Sequence, residues 1–395
     1  MKKWTKVFGI AFLVFAVGML IGYRANAADA IHVTQTAATT NSITVKWDYS
    51  NGTQYECTLK DGNTSTIKTV NTTECLINNL SAGKTYLVSV KARKNGTYVG
   101  ESKEIEVVTV PANGEFEVTQ TAATDSTITL KATSVTGVNF YQVYQNNTLV
   151  GTSSSNTIKL TKLAKAKEYA FHIYAVRRSS VGFIAKGDDT YCYIYAKTLP
   201  SAYTKKTFGV AGSPIAEAIY GKNLYSFKVS GSSPATGYEW QFKDVNGNVK
   251  KTEKSTTPTL TLEKFVNGTF YQYRVRAYLT CVGGTSYTAW SPYRYIGTMS
   301  SVPYTATKKA VTINWSKISG ASKYIVYGSK KEKSGFKKLT TTNAKKRRAV
   351  IKKIGGKALK KNTTYYIRIQ PVAKIGNKAI KADDYVTTSI KTKNY

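Results

Sequence analysis

The side chains with the most chemistry to offer are cationic. Across 395 residues there are 57 Lys plus Arg against 22 Asp plus Glu, a formal charge of +35. Of these cations, 24 fall within residues 301–395, where only Glu332, Asp383 and Asp384 oppose them. Two clusters stand out. Lys330, Lys331, Lys333, Lys337 and Lys338 surround an expected hairpin turn, and Lys345, Lys346, Arg347 and Arg348 lead into a strand that carries Lys352 and Lys353. A turn cluster and a strand run of this kind are able to converge on one patch. Such density suits phosphates or carboxylates of an anionic polymer, through contacts that are mainly electrostatic and screened by salt. It serves equally well as a solvated surface, because Lys on strand edges blunts unwanted pairing. The net charge climbs along the chain, from +1 over residues 31–110 to +3, +7 and finally +21 over the three segments that follow.

Groups for making and breaking bonds are scarce. The two histidines, His32 and His172, stand in no pattern with a nucleophile or a carboxylate, and the four cysteines form no C-x-x-C pair. A zinc site is therefore not supported. Gly-rich phosphate loops, HExxH and GxSxG are absent, so no catalytic residue, metal or cofactor is expected, and the chain reads as a non-enzyme. A pair of glycosidase carboxylates stays open, because its members lie far apart in a sequence. The acidic doublets Asp188-Asp189 and Asp383-Asp384 fall where the last hairpins of two repeats should turn,. Tyr191, Tyr193 and Tyr195 alternate on one strand, an arrangement that either packs across strands or offers a sugar-stacking face,. Without an aromatic-plus-glycine signature, sequence-specific nucleic-acid readout has no support.

The elements that position these residues follow from composition and repeats. A chain that is 42% hydrophobic and 12% aromatic, with a mean hydropathy of -0.29, fills several cores and is neither collagen-like, disordered nor polytopic,. Lys2, Lys3 and Lys6 precede an uncharged apolar run over residues 7–23, and Ala25-Asn26-Ala27 ends it with small residues. These are the three parts of a secretory signal peptide, 1–27, cleaved after Ala27. An uncleaved run of 17 residues would just span a bilayer, so membrane attachment is expected only in that case,. The mature charge is then +31.

Val33-Thr34-Gln35-Thr36-Ala37-Ala38-Thr39 recurs 85 residues later as Val118-Thr119-Gln120-Thr121-Ala122-Ala123-Thr124,. A large apolar residue also stands six positions before a tyrosine four times: Leu80 and Tyr86, Leu163 and Tyr169, Phe265 and Tyr271, Leu359 and Tyr365. Each tyrosine opens an alternating run, such as Tyr86, Val88, Val90 and Ala92, that buries one face of a strand,. Turn residues separate many short strands in each repeat, which describes antiparallel β-sandwiches. The repeats end on similar strands reaching Thr109, Thr198, Thr298 and Thr392, and Pro111 and Pro200 follow the first two. The expected domains are 31–110, 114–199, 201–298 and 301–395, joined by short connections into a semi-rigid string.

This pattern resembles the fibronectin type III domain. The resemblance rests on the apolar residue six before Tyr, together with Ile43-x-Val45-x-Trp47 and Val311-x-Ile313-x-Trp315 on early strands. It implies an all-β string of four fibronectin type III-like or immunoglobulin-like sandwiches, with tyrosine corners at Tyr86, Tyr169, Tyr271 and Tyr365 that close one end of each. Ala132 replaces the early Trp in the second repeat. The third has Trp240 on a later strand and Trp290 near its last, and reads as a divergent or immunoglobulin-like member. In the fourth, residues 355–359 look like an insertion. By the same resemblance Cys57 and Cys75 belong to opposite sheets. An exported protein permits a disulfide there, worth about 3 kcal/mol for its loop, or both remain small buried hydrophobes. Cys192 and Cys281 have no local partner. Lys186-Gly187-Asp188 falls where some fibronectin domains carry an integrin-binding tripeptide, and with Lys in place of Arg it reads as a chance match.

The whole is similar to cell-surface proteins of Gram-positive, Clostridia-like gut bacteria. An exported, non-enzymatic binding or spacer protein is expected, secreted or wall-associated, whose last domain binds an anionic cell-wall polymer such as teichoic acid or an acidic glycan. The alternatives are an adhesin that recognises a host protein or glycan through its first three domains, and an accessory carbohydrate-binding array of a polysaccharide-degrading system.

Overall fold

The structure is a computed structural model that describes residues 30–112, 116–187, 191–211, 224–231, 234–263, 268–297, 299, 302–383 and 385–394. The expected signal peptide, Phe265, Asp188, Asp189, Thr298 and Asp384 lie outside the described residues. Among the described residues all regular structure is β-strand. Alternation is the cause: in Thr85–Lys94 the side chains of Tyr86, Val88, Val90 and Ala92 are buried while Leu87 and Lys94 face water. Each fully buried Val or Tyr of this kind contributes about 1.5–3 kcal/mol.

The chain divides into two compact units, residues up to 110 with 178–185, and residues 111–177 with 186–395. The first is built around one sandwich. Val33–Ala38, Ile43–Trp47 and Glu74–Ile77 form its smaller sheet. The larger sheet runs Thr64–Val70, Gln54–Asp61, Thr85–Lys94, with Thr97–Glu101 and Ile105–Val108 both pairing to Thr85–Lys94. Trp47 leans on Tyr55 in its core at 5.2 Å.

The second unit repeats this strand order three times. Sandwich two pairs Val118–Ala123, Ile128–Ala132 and Thr157–Leu160 in one sheet, and Thr148–Ser153, Phe140–Gln145, Glu168–Arg178 and Tyr191–Lys197 in the other. Sandwich three uses Phe208–Ala211, Leu224–Val229 and Thr259–Glu263 against Val249–Ser255, Gly237–Lys243, Phe270–Cys281, Gly284–Tyr287 and Arg294–Gly297. Sandwich four uses Tyr304–Ala306, Val311–Asn314 and Arg348–Ile351 against Lys337–Asn343, Ala321–Ser329, Thr364–Ile375, Lys378–Lys381 and Val386–Lys391. The third repeat therefore shares the topology of the others, with Trp240 fully buried at its centre. In sandwich two, where Ala132 replaces the tryptophan, Phe116 joins the core alongside Tyr141. The expected insertion in sandwich four is a two-residue hairpin, Lys353–Ile354 against Lys357–Ala358, turned by Gly355 and Gly356 at φ of 58° and 80°. A two-residue hairpin loop favours positive φ at its centre, which glycine adopts freely.

The corner in each described case is a two-part lock. The N–H groups of Ser81, Ala164 and Lys360 donate to the hydroxyls of Tyr86, Tyr169 and Tyr365 at 2.8, 2.6 and 2.9 Å. The hydroxyls of the buried Thr109, Thr198 and Thr392 then donate to the carbonyls of the same three residues, Ser81, Ala164 and Lys360. The matching segment before Tyr271 lies outside the described residues. The duplicated glutamines share a job as well. Gln35 exchanges hydrogen bonds with the backbone of Val108, and Gln120 with that of Lys197, each fastening the first strand to the last.

Within the second unit the joints are packed. Ala123, Leu199 and Leu279 form a small apolar cluster between sandwiches two and three, and the Val282 N–H donates to the Gln120 carbonyl at 3.0 Å. Between sandwiches three and four, the Phe270 N–H donates to the Ser319 carbonyl, Phe270 enters the core of sandwich four, and Gly297 lies so close to Pro371 that a Cβ would meet it at 2.3 Å. Asp383 is not the hairpin-turn residue expected. The last hairpin turns at Gly376 and Asn377, and Asp383 follows in a bend whose carboxylate accepts from the Tyr295 N–H at 2.7 Å and pairs with Arg294.

Candidate functional site

In sandwich four the strand register decides where the cations go. Gly328 pairs with Lys337 and Lys323 with Asn343, so Lys337–Asn343 separates two loops by about 20 Å at roughly 3.4 Å per residue,. One end holds Lys330, Lys331, Lys333, Lys337 and Lys338. The other holds Lys345, Lys346, Arg347 and Arg348. The strand Arg348–Ile351, paired through Arg348 to Asn314 and Ile351 to Val311, then returns Lys352 and Lys353 to the first end. The clusters therefore make a charged flank with two poles instead of one compact patch. Lys337–Asn343 and Arg348–Ile351 are the edge strands of their sheets and lie beside each other along that flank. All eleven side chains are exposed. Among the described residues, the ion pair between Asp383 and Arg294 of sandwich three is the sole one that involves sandwich four.

A cleft opens at the first pole. It measures about 490 Å³ and is lined by Glu332, Lys333, Tyr366, Arg368, Thr387 and Ser389. The Arg368 guanidinium is stacked between Phe336, at 3.5 Å, and Tyr385, at 4.2 Å, and its Nε donates to the Thr387 hydroxyl. The lysine turn is held over this cleft by buried Ser329, whose hydroxyl donates to the Ser334 carbonyl and accepts from the Lys331 N–H. Sequence reasoning missed Arg368. Its place on the outward phase of Thr364–Ile375, together with Phe336 inside a lysine turn, was the available clue.

Sandwich two carries the second candidate. Across its larger sheet Tyr174 pairs with Tyr191, His172 with Tyr193 and Ala170 with Tyr195, while Tyr144 sits opposite His172 on the third strand. The rings form a continuous file: Tyr144 to Tyr174 at 5.6 Å, Tyr174 to Tyr191 at 5.6 Å, Tyr191 to His172 at 5.7 Å, His172 to Tyr193 at 4.8 Å and Tyr193 to Tyr195 at 5.1 Å. A hydrogen bond to Tyr195 pushes the Tyr193 phenol above its ordinary value. Tyr191, Tyr193 and Tyr195 nevertheless stay 49%, 46% and 63% exposed. A small pocket of about 100 Å³ opens beside Tyr193, between Tyr144, Asn146, Asn147, Ala170 and His172. Lys186 places its ammonium 3.5 Å from the Tyr174 ring centre and 4.8 Å from that of Tyr144, while Gly187 ends the described segment, so the tripeptide is not described in full.

The remaining reactive groups are dispersed. His32 lies at the surface, its ring 3.1 Å from Asp48, and the His32 backbone N–H holds the Asp48 carboxyl below its usual range. Cys57 and Cys75 stand on facing sheets as free, buried thiols. A hydrogen bond to Cys75, together with burial, pushes the Cys57 thiol far up. Cys192 packs against the core of sandwich two and Cys281 against the joint after it, both free.

Three comparisons bear on these features. The fibronectin type III domain family matches residues 29–108, so the first sandwich is a fibronectin type III domain. A crystal structure of chicken CNTN1 FN1-FN3 domains matches 72% of this chain and 99% of that one, with 14% identity and a TM-score of 0.21. No curated protein matches.

Proposed function

We propose that the chain is an exported, non-catalytic surface protein whose tandem sandwiches act as a spacer and whose fourth sandwich holds an anionic polymer, such as a wall teichoic acid or an acidic glycan. The observation that carries this reading is the set of 24 cations against three carboxylates in residues 301–395, eleven of them exposed along one flank and one of its two poles standing at a cleft lined by Lys333 and Arg368. Fibronectin type III domains of this kind suit spacing and binding. The stacked Arg368 is the pre-organised contact, and the exposed lysines around it supply long-range attraction,.

The test is retention of the full chain on purified Gram-positive cell wall, with and without its teichoic acid, over a salt gradient. Binding should fall steeply with salt, weaken when the teichoic acid is stripped, and drop about tenfold or more when Lys330, Lys331, Lys333, Lys337 and Lys338 are changed to Gln, since each lost contact removes part of the electrostatic attraction. Retention that ignores salt would count against the reading.

A further inference from the structure

We propose that the outer face of the larger sheet of sandwich two is a platform for a neutral glycan chain. It stands on different residues from the basic flank and needs none of that flank's charge.

The first argument is exposure. Fully burying a large side chain gains about 1.5–3 kcal/mol, and three alternate positions of one strand here forgo part of it by staying 49%, 46% and 63% exposed,. In the neighbouring sandwich the rings of the same face are covered by cations. There Arg276 lies 3.7 Å from Tyr287 and 4.4 Å from Trp290, and Arg274 lies 4.3 Å from Trp290. The two guanidiniums stand over the rings of that face. In sandwich two the positions of Arg274 and Arg276, third and fifth after the corner tyrosine, are His172 and Tyr174. Both join the aromatic file, and the faces of Tyr191, Tyr193 and Tyr195 are left to solvent.

The second argument is the chemistry around the rings. A pyranose has an apolar face of C–H bonds and a rim of hydroxyls, and a site for it needs flat rings beside a few fixed polar groups. The pocket next to Tyr193 supplies them: the Asn146 and Asn147 side chains, the His172 ring and the phenols. Asn146 and Asn147 form the tight turn between Phe140–Gln145 and Thr148–Ser153, both with positive φ, 46° and 62°. Such turns favour glycine at the second position. Asparagine there keeps the geometry and adds a second amide to the pocket. At about 100 Å³ the space takes one sugar substituent, an acetamido or hydroxymethyl group, while the rings of the chain lie along the tyrosine file.

The third argument is charge. Glu168, at the edge of this face, is paired with Lys197, and Lys186 is committed to the rings of Tyr174 and Tyr144. The described face is close to neutral in a chain of formal charge +35, which favours an uncharged occupant.

The test uses the full chain in affinity electrophoresis and titration calorimetry, in high salt so that the basic flank is screened. The probes are soluble oligosaccharides of N-acetylglucosamine, glucose and mannose. Binding of at least one neutral probe is expected, with a loss of about tenfold for Tyr193→Ala and within about threefold for Tyr193→Phe, because the stacking and not the hydroxyl carries most of the contact. Asn147→Gly, which keeps the turn, should shift preference among the three probes. Absence of binding to all three, or binding that Tyr193→Ala and Tyr191→Ala leave unchanged, would overturn the proposal. So would concentration-dependent self-association abolished by Tyr191→Ala, which would assign the face to a second copy of the chain. These outcomes are independent of retention on cell wall, so each proposal fails or stands by itself.

Discussion

Sandwiches two and three share a strand order and carry aromatic rings along the outer face of the larger sheet, yet they finish that face in opposite ways. In sandwich three, Arg274 and Arg276 thread between Tyr287, Trp290 and Tyr293, while Gln241 and Glu239 hold the guanidiniums from the next strand. The cations cover the rings and the rings cover the cations. In sandwich two, Lys186 covers Tyr174 and Tyr144, but the other rings meet rings at tilted and edge-on angles, which is favourable in itself and leaves Tyr191, Tyr193 and Tyr195 exposed,. The difference lies in two residues per sandwich. A β-sheet's outer face is sealed or left available by what stands at the third and fifth positions after the corner. Sandwich four repeats the sealed design at the third position, where Arg368 is stacked by Phe336 and Tyr385.

The comparison predicts its largest effect in the sealed face. Trp290→Ala removes the ring shared by Arg274 and Arg276 and leaves two guanidiniums half-stacked. At roughly 0.5–1 kcal/mol for each exposed cation–π contact, plus the packing lost, a local destabilisation of about 2 kcal/mol is expected. Because a chain of several domains does not unfold in two states, the measurement is amide hydrogen exchange across Phe270–Cys281, which should accelerate about thirtyfold. Unchanged exchange would mean that the ladder is decoration on a sheet already fixed by its core.

How much of this was readable beforehand differs between fold and site. The corner tyrosines, the alternation behind them and the sandwich class follow from period-two burial, which a sequence displays directly. The repeated Thr109, Thr198 and Thr392 were visible as a recurrence, but their role as the second half of the corner was not, since it depends on strands about 25 residues or more apart meeting at one carbonyl,. Likewise the two lysine clusters were obvious as composition, and their separation to opposite poles was not. That separation is set by the antiparallel register of Lys337–Asn343, which moves the residues before and after the strand apart in space. The tyrosine ladder was legible, but its companions Tyr144, His172 and Tyr174 come from two other strands and are joined to it only by register. Asp383 shows the limit most plainly. It read as a hairpin-turn residue, but the hairpin turns at Gly376 and Asn377, and the partners of Asp383, Tyr295 and Arg294, belong to another sandwich.

A smaller effect tests whether the two designs are interchangeable. His172→Arg with Tyr174→Arg would install in sandwich two the cations that sandwich three already has. The guanidiniums should settle between Tyr191 and Tyr193, stabilising the sheet by about 1 kcal/mol, read as slower exchange across Glu168–Arg178. The same variant should abolish binding of neutral oligosaccharide probes, because the ring faces would be occupied. Stabilisation with binding retained would break the link between open faces and recognition.

The smallest effect is the most discriminating. If Tyr195, the most exposed ring of the file, were present for cross-strand packing, Tyr195→Ala would cost what such pairs usually contribute, up to about 1 kcal/mol,. Its strand partner is Ala170, which offers little surface, and among the described residues its ring neighbour is Tyr193 at 5.1 Å. The expected change in exchange protection across Tyr191–Lys197 is therefore below about 0.5 kcal/mol, within the range of an ordinary surface substitution. A ring so exposed, and so cheap to remove, contributes little to holding the sheet together. A loss near the upper figure would instead make the open face of sandwich two a packing device like the sealed face of sandwich three.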